Sequence, residues 1–86
     1  MGNMSEHVDM KRLVRRYITD SDDVKLIIDH CTLKSVDKQI LTMILIERYD
    51  EGFVADTLGY SYSQIKRRFA AALTVFVSVA HKARML

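Results

Sequence analysis

The chain has 86 residues, of which 49% are hydrophobic and 28% are charged, and its formal net charge is +2. This length predicts one small domain, spanning residues 1–86, with a single hydrophobic core. The charged fraction argues against a membrane span, and the single cysteine, Cys31, cannot form an internal disulfide. We therefore expect a cytoplasmic protein that makes no membrane contact.

The first third of the chain has apolar residues at helical spacing, and it predicts an N-terminal helical pair over residues 5–32. Ser5 is expected to cap the first helix and Ser21 the second. The apolar face of the first helix is Met10, Leu13, Val14, Tyr17 and Ile18. The buried face of the second is Val24, Ile27, Ile28 and Cys31.

A third helix is expected to begin after a Ser35 cap and to end near Tyr49. It is apolar on more than one side, which predicts a central position in the fold. Its apolar residues are Val36, Ile40, Leu41, Met43, Ile44, Leu45 and Ile46.

Two further helices complete the expected fold. Asp50 can cap a fourth helix that runs to about Leu58, and Gly59 then suits the left-handed conformation that follows a helix end. Ser61 can cap a fifth helix that continues to about Ala83. The predicted fold is all-α: a compact bundle of about five helices with a C-terminal helix-turn-helix and a long last helix.

The last two helices meet the requirements of a helix-turn-helix, the unit that places one helix in the DNA major groove. Ala55 is small where the helices cross, and Gly59 tolerates the turn. Apolar residues able to hold the two helices together are Val54, Leu58, Tyr60, Ile65 and Phe69. The start of the fifth helix, the second helix of the motif, has exposed polar residues that are the candidate DNA-binding residues. They are Ser61, Tyr62, Ser63, Gln64, Lys66, Arg67 and Arg68. A helical hairpin that binds no nucleic acid is the alternative.

The charges are divided unevenly along the chain. Residues 1–60 hold eight basic and eleven acidic side chains, whereas residues 61–86 hold five basic side chains and no acidic one. The positive end therefore coincides with the predicted motif, as expected of a protein that binds nucleic acid.

Four segments of the chain resemble the C-terminal domain of bacterial sigma factors, which binds the upstream promoter element. They are residues 33–41, the Glu47-Arg48-Tyr49 triplet, residues 54–61 and residues 65–69. The resemblance covers about residues 33–76, and short phage-encoded transcription regulators share this form. It implies that residues 35–83 form a sigma-like helix-turn-helix part that binds double-stranded DNA. The connection between Tyr49 and the motif is shorter than is usual in that family.

The residue types at the start of the fifth helix predict which side chains contact DNA bases and which contact phosphates. Gln64 can pair with adenine, and Arg67 or Arg68 with guanine. Lys66 is better placed for a phosphate, and Tyr62 can reach a phosphate or a thymine methyl group. The alternative is a solvated basic face, which the lack of acidic residues nearby in the sequence disfavours.

A second basic cluster lies opposite the apolar face of the first helix. It is a candidate auxiliary DNA contact, and a solvated surface is the alternative. Its members are Lys11, Arg12, Arg15 and Arg16.

The fifth helix has an apolar arc wider than the stripe of an ordinary surface helix, which predicts a homodimer through its C-terminal part. Two-fold symmetry would place two recognition helices on two half-sites. The alternative is that the N-terminal helices cover the arc within one chain. The predicted interface residues are Val75, Phe76, Val77, Val79, Ala80 and Ala83.

No catalytic or cofactor pattern stands out, since His7, His30 and His81 share no metal-ligand spacing. We expect a non-enzymatic, sequence-specific transcription regulator that binds double-stranded DNA as a homodimer, without metal or cofactor. One alternative is a protein-interaction module that keeps the helix-turn-helix shape and binds RNA polymerase or inhibits a host protein. Another is a DNA-binding accessory of packaging or replication.

Overall fold

The polypeptide folds into helices joined by short turns. The computed structural model describes Arg12, residues 14–16, Ile18 and residues 20–84. Helix α1 comprises Arg12 and residues 14–16. The later elements are α2 (Ser21–His30), α3 (Ser35–Leu41), a π-helical segment (Thr42–Ile46), α4 (Glu51–Leu58) and α5 (Tyr62–Lys82). The described residues contain no strand, and the all-α prediction with a long last helix is confirmed.

The centre of the molecule is the rod formed by α3 and the π-helical segment, as its apolar pattern predicts. Ile40, Leu41 and Ile44 on this rod are fully buried. Helix α3 packs against α5, the π-helical segment against α2, and α4 against α5. The predicted buried face of the second helix is also confirmed. Its buried members are Val24, Ile27, Ile28 and Cys31.

The N-terminal end of the bundle is described only in part. Val14 and Ile18 are buried against the core, as predicted for the first helix. The Ser5 cap and the remaining members of that apolar face, Met10, Leu13 and Tyr17, lie outside the described residues. Within the described part of the chain, no helix has the length and apolar character that crossing a bilayer requires.

Two predicted helix caps are wrong by one residue. Helix α2 begins at Ser21, and its N-cap is Asp20, whose carboxylate accepts a hydrogen bond of 2.9 Å from the backbone N–H of Asp22. A carboxylate at this position also interacts favourably with the positive end of the helix dipole. Helix α3 begins at Ser35, and its N-cap is Lys34, whose backbone carbonyl accepts the first helical bonds while no side chain caps the helix.

The third helix ends earlier than predicted. After Leu41 it widens into the π-helical segment, where the N–H of Glu47 bonds to the carbonyl of Thr42 at 3.1 Å. Arg48 then adopts the left-handed conformation, with φ 64°. Tyr49 donates its N–H back to the carbonyl of Met43 at 3.0 Å. The left-handed Arg48 therefore turns the chain away from the helix axis before Tyr49.

Candidate nucleic-acid interface

The connection between α4 and α5 forms by local hydrogen bonding. Asp50 caps α4 by accepting a bond of 2.8 Å from the N–H of Phe53, as predicted. Gly59 has φ 77°, which confirms the predicted left-handed turn. The N–H groups of Gly59 and Tyr60 both bond to the carbonyl of Ala55, at 2.9 and 3.0 Å. The turn thus satisfies backbone groups that the end of α4 leaves unpaired.

The start of α5 is fixed by a capping box. The Ser61 hydroxyl oxygen accepts a bond of 3.2 Å from the N–H of Gln64. The Gln64 side-chain oxygen accepts a bond of 2.9 Å from the N–H of Ser61. The predicted Ser61 cap is confirmed, and the reciprocal bond from Gln64 is an additional feature of the structure.

Apolar packing fixes the relative positions of the two helices. Ala55 is buried where α4 meets α5, and Val54 beside it is fully buried. Ile65 and Phe69 are buried on the facing side of α5. The remaining predicted contacts, Leu58 and Tyr60, are half-buried against the same core. The apolar contacts of the predicted motif therefore all join one cluster.

The polar residues at the start of α5 lie mostly at the surface. The exposed ones are Ser61, Tyr62, Ser63, Gln64, Lys66 and Arg67. The Lys66 ammonium lies 5.5 Å from the centroid of the Tyr62 ring, which holds the two side chains together by a cation–π interaction. Arg67 forms no hydrogen bond or ion pair with another described residue. Its guanidinium is therefore available to an outside ligand.

Arg68 differs from its exposed neighbours because an acidic residue neutralises it. Its Nη1 donates a hydrogen bond of 2.9 Å to the carboxylate of Asp37 in the first turn of α3. Its guanidinium carbon also lies 5.1 Å from the centroid of the Tyr60 ring. The lack of acidic residues nearby in the sequence does not leave the whole cluster unneutralised, since Asp37 approaches from 31 residues away.

A groove of about 430 Å³ lies between α3 and the first turns of α5. Its polar lining is Asp37, Gln64, Arg67 and Arg68, and Ala71 also lines it. The side chains best placed to contact a ligand therefore border one acidic group. That group would repel a phosphate that entered the groove itself.

The predicted auxiliary cluster is not a uniform surface row. Arg12 and Arg16 are exposed, but Arg15 is half-buried and its Nη2 donates a hydrogen bond of 2.9 Å to the carbonyl of Ile44. This is a correction for Arg15, which turns toward a carbonyl of the π-helical segment instead of away from the core. Lys11 lies outside the described residues.

The predicted dimer interface also needs correction. Phe76 and Ala80 are fully buried inside the single chain, so neither can contact a second copy. Helices α2 and α3 pack against α5 and cover its central apolar stripe within one chain. The alternative named only the N-terminal helices, of which α2 is one, whereas α3 was not expected there. Val75, Val77 and Val79 are half-buried at the flanks of that stripe, and Ala83 is exposed.

The described residues contain no group of three histidine, cysteine, aspartate or glutamate side chains arranged to hold a metal ion. His30 directs its Nδ1 to the carbonyl of Leu26 at 2.9 Å, whereas its neighbour Cys31 is buried in the core. Cys31 is the C-cap of α2 and has an extended backbone, so the adjacent pair points in different directions.

No family model matches the chain, and no curated protein or solved structure shows significant similarity to it.

Proposed function

We propose that this protein is a sequence-specific transcription regulator that binds double-stranded DNA through the first turns of α5. One observation carries the proposal: an exposed polar and basic row follows directly after a glycine turn and a capped helix start. Helix α4 packs against α5, and the polar side chains of the N-terminal turns of α5 stay at the surface. This arrangement is the one a helix-turn-helix uses to enter the major groove.

In this proposal the role of each side chain in DNA contact depends on whether it is exposed and unpaired. Arg67 is exposed and unpaired among the described residues, so it is the leading candidate for a guanine edge. Lys66 and Tyr62 contact phosphates and confer affinity that depends on salt but little on sequence. Arg68 is held by Asp37 and serves to position α5 against α3.

Gln64 has a narrower role than bidentate adenine recognition. Its side-chain oxygen accepts the N–H of Ser61, so one of the two lone pairs of that oxygen is occupied, while the amide N–H groups are free to donate outward. A single donor contact to a base acceptor is compatible with the capping box. Bidentate pairing with adenine would require the same oxygen to accept a second hydrogen bond while it holds Ser61.

The proposed homodimer uses a smaller surface than the apolar arc indicated. A groove of about 410 Å³ runs between α2 and the end of α5, lined by Leu26, Ile27, His30, Val79, Lys82 and Ala83. Leu26 is 51% exposed there, although it is a large apolar residue. Leu26→Asp is expected to leave a monomer in sedimentation velocity across micromolar concentrations. A wild-type protein that stays monomeric at high micromolar concentration removes dimerisation from the proposal.

A protein-interaction module remains the second candidate, and one observation favours it. Tyr49 and Phe53 are 42% and 49% exposed, and their ring centroids lie 4.5 Å apart on the surface before and within α4. Paired exposed aromatic side chains are common at protein contacts. RNA polymerase, or a host protein that the module inhibits, is the kind of partner that this surface would contact.

Fluorescence anisotropy with random and selected DNA duplexes across a salt series tests the DNA proposal. Arg67→Ala is expected to weaken binding to a selected duplex by about 1–3 kcal/mol and to relax its sequence preference. Lys25→Ala, which removes one exposed positive charge from α2, is the matched control. Absence of binding at low salt, or equal losses in both variants, contradicts the proposed interface.

A further inference from the structure

A small cavity of about 90 Å³ lies where α1, the start of α2 and the end of the π-helical segment meet. Arg15, Ser21 and Arg48 supply polar groups to its wall, and Val24 and Leu45 are among its apolar neighbours. It is far smaller than the groove beside α5 and can hold only a group of a few atoms.

Arg15 is held in place on one side of this cavity but is not fully paired. Its Nη2 is fixed by the bond to the carbonyl of Ile44, whereas its buried Nε has no hydrogen-bond partner among the described residues. A buried donor without a partner is unfavourable, so the guanidinium retains capacity for an acceptor. Burial, and after it the charge of Arg48, lowers the pKa of Arg15, while Glu51 acts in the opposite direction.

Arg48 also lines the cavity, and its backbone conformation disfavours a side chain. Its φ of 64° belongs to the left-handed region, which glycine adopts without steric cost. Its side chain is exposed and forms no hydrogen bond or ion pair with another described residue. A left-handed residue after a helix end is common, as Arg84 after α5 also shows, so it is the free guanidinium beside the cavity that makes Arg48 a candidate ligand-binding residue.

We propose that Arg15 and Arg48 form a binding site for a single phosphate-type oxyanion in the cavity that both residues line. Two guanidinium groups offer several N–H donors to the oxygens of one tetrahedral anion, and such charge-assisted bonds are the stronger kind. The anion also neutralises two like charges that now repel each other. The site is separate from the proposed DNA-contacting row on α5 and does not depend on it.

The same chemistry can come from free inorganic phosphate or from a phosphodiester of a DNA backbone. The cavity volume excludes a whole nucleotide but admits one phosphate group at its mouth. Glu51 is the acidic residue whose charge acts on Arg15, and it competes with any bound anion. Removal of its charge should therefore tighten binding.

The test is a titration of the full chain with inorganic phosphate, at a constant ionic strength set with chloride. Binding is monitored by calorimetry and by NMR of the arginine side-chain N–H groups. Saturable binding with shifts at Arg15 and Arg48 is expected. Arg48→Gly is expected to weaken phosphate binding by about tenfold or more, because it removes charge-assisted hydrogen bonds. Its melting temperature should rise, which excludes misfolding as the cause.

Arg84→Gly is the matched control, since Arg84 also has a left-handed backbone (φ 60°) and lies at the far end of α5. It should leave phosphate affinity unchanged, while Glu51→Gln should increase it. Equal losses of phosphate affinity in Arg48→Gly and Arg84→Gly overturn the proposal, and so does the absence of saturable phosphate binding.

A second arm identifies the source of the anion. If a short DNA duplex displaces phosphate, as reported by the NMR signal of the Arg48 side chain, the natural ligand is a backbone phosphodiester. If the duplex does not displace phosphate, the natural ligand is the free ion. Arg67→Ala should keep full phosphate affinity in either case. Loss of DNA binding alone therefore leaves this site standing, and loss of the phosphate site alone leaves the DNA proposal standing.

Discussion

The carboxylate of Asp37 lies 2.9 Å from the guanidinium of Arg68 and ties the first turn of α3 to α5. The two side chains are 17% and 34% exposed, so water screens the pair only in part. The pair has two consequences in the proposed function. It fixes the helix that would enter the groove, and it places a negative charge beside the residues that would contact phosphates.

Asp37→Asn removes both the tie and the negative charge, and stability and DNA affinity report on them separately. Because ion pairs that water can reach contribute little, we expect unfolding free energy to fall by less than about 1 kcal/mol. DNA affinity is expected to rise at low salt, since Arg68 is released and one repulsive charge is lost. The slope of log affinity against log salt concentration should steepen by about the amount of one additional phosphate contact. Anisotropy across a salt series measures both effects. Asp29→Asn, a matched charge change on the exposed side of α2, should leave affinity nearly unchanged.

Gly59 sets the angle between α4 and α5 through its backbone alone. A side chain added there would meet no atom within 4 Å, but the φ of 77° strains any ordinary residue. Gly59→Ala is therefore expected to lower unfolding free energy by about 1–2 kcal/mol. Gly59→Asn should cost less, because asparagine tolerates the left-handed conformation. Urea denaturation distinguishes the two variants, and equal losses would mean that the left-handed conformation is not what makes a side chain unfavourable at this position.

The sequence alone was sufficient for the turn because every group that defines it lies within a few residues. Asp50 bonds to Phe53, Gly59 to Ala55 and Ser61 to Gln64, and each pairing has a residue-type preference that local rules capture. The long apolar patterns likewise predicted the core faces of α2 and α3. Local chemistry therefore determines most of the secondary structure here.

Contacts between distant segments were not predictable in this way. Arg68 finds Asp37 across 31 residues and Arg15 finds the carbonyl of Ile44 across 29, and no periodic pattern encodes either pairing. For the same reason, the width of the apolar arc on the last helix overestimated how much apolar surface is free to contact a second copy. Whether Phe76 faces a partner or the same chain depends on where α2 and α3 pack, which is a property of the whole fold.

Gln64 both caps α5 and faces outward, so substitutions can separate its two roles. Gln64→Ala removes half of the capping box and should lower unfolding free energy by about 1 kcal/mol. Gln64→Glu preserves the box, since glutamate accepts the same bond, and adds a negative charge that the start of a helix favours. Stability should therefore be kept, while DNA binding weakens through repulsion of the phosphates. Thermal unfolding and anisotropy measure the two properties separately, and unchanged DNA affinity in Gln64→Glu would place the DNA contact elsewhere.

Cys31 provides a pH-dependent test of the core. The thiol is only 3% exposed, and burial raises its pKa, with the charge of Lys38 acting in the opposite direction. A thiol with a raised pKa holds its proton more tightly in the folded than in the unfolded chain. Its contribution to stability is therefore complete below the unfolded pKa of about 8.5 and is lost as the pH rises from there through the folded pKa.

The stability advantage of the wild type over Cys31→Ala should accordingly shrink between neutral pH and strongly alkaline pH, measured by urea denaturation. Groups that titrate elsewhere contribute equally to both proteins and cancel in this difference. At neutral pH the native thiol should react with an aromatic disulfide reagent far more slowly than the urea-unfolded chain, because the thiolate is the reactive form and the side chain is covered. Equal reaction rates would mean that the end of α2 opens readily and that Cys31 does not belong to a stable core.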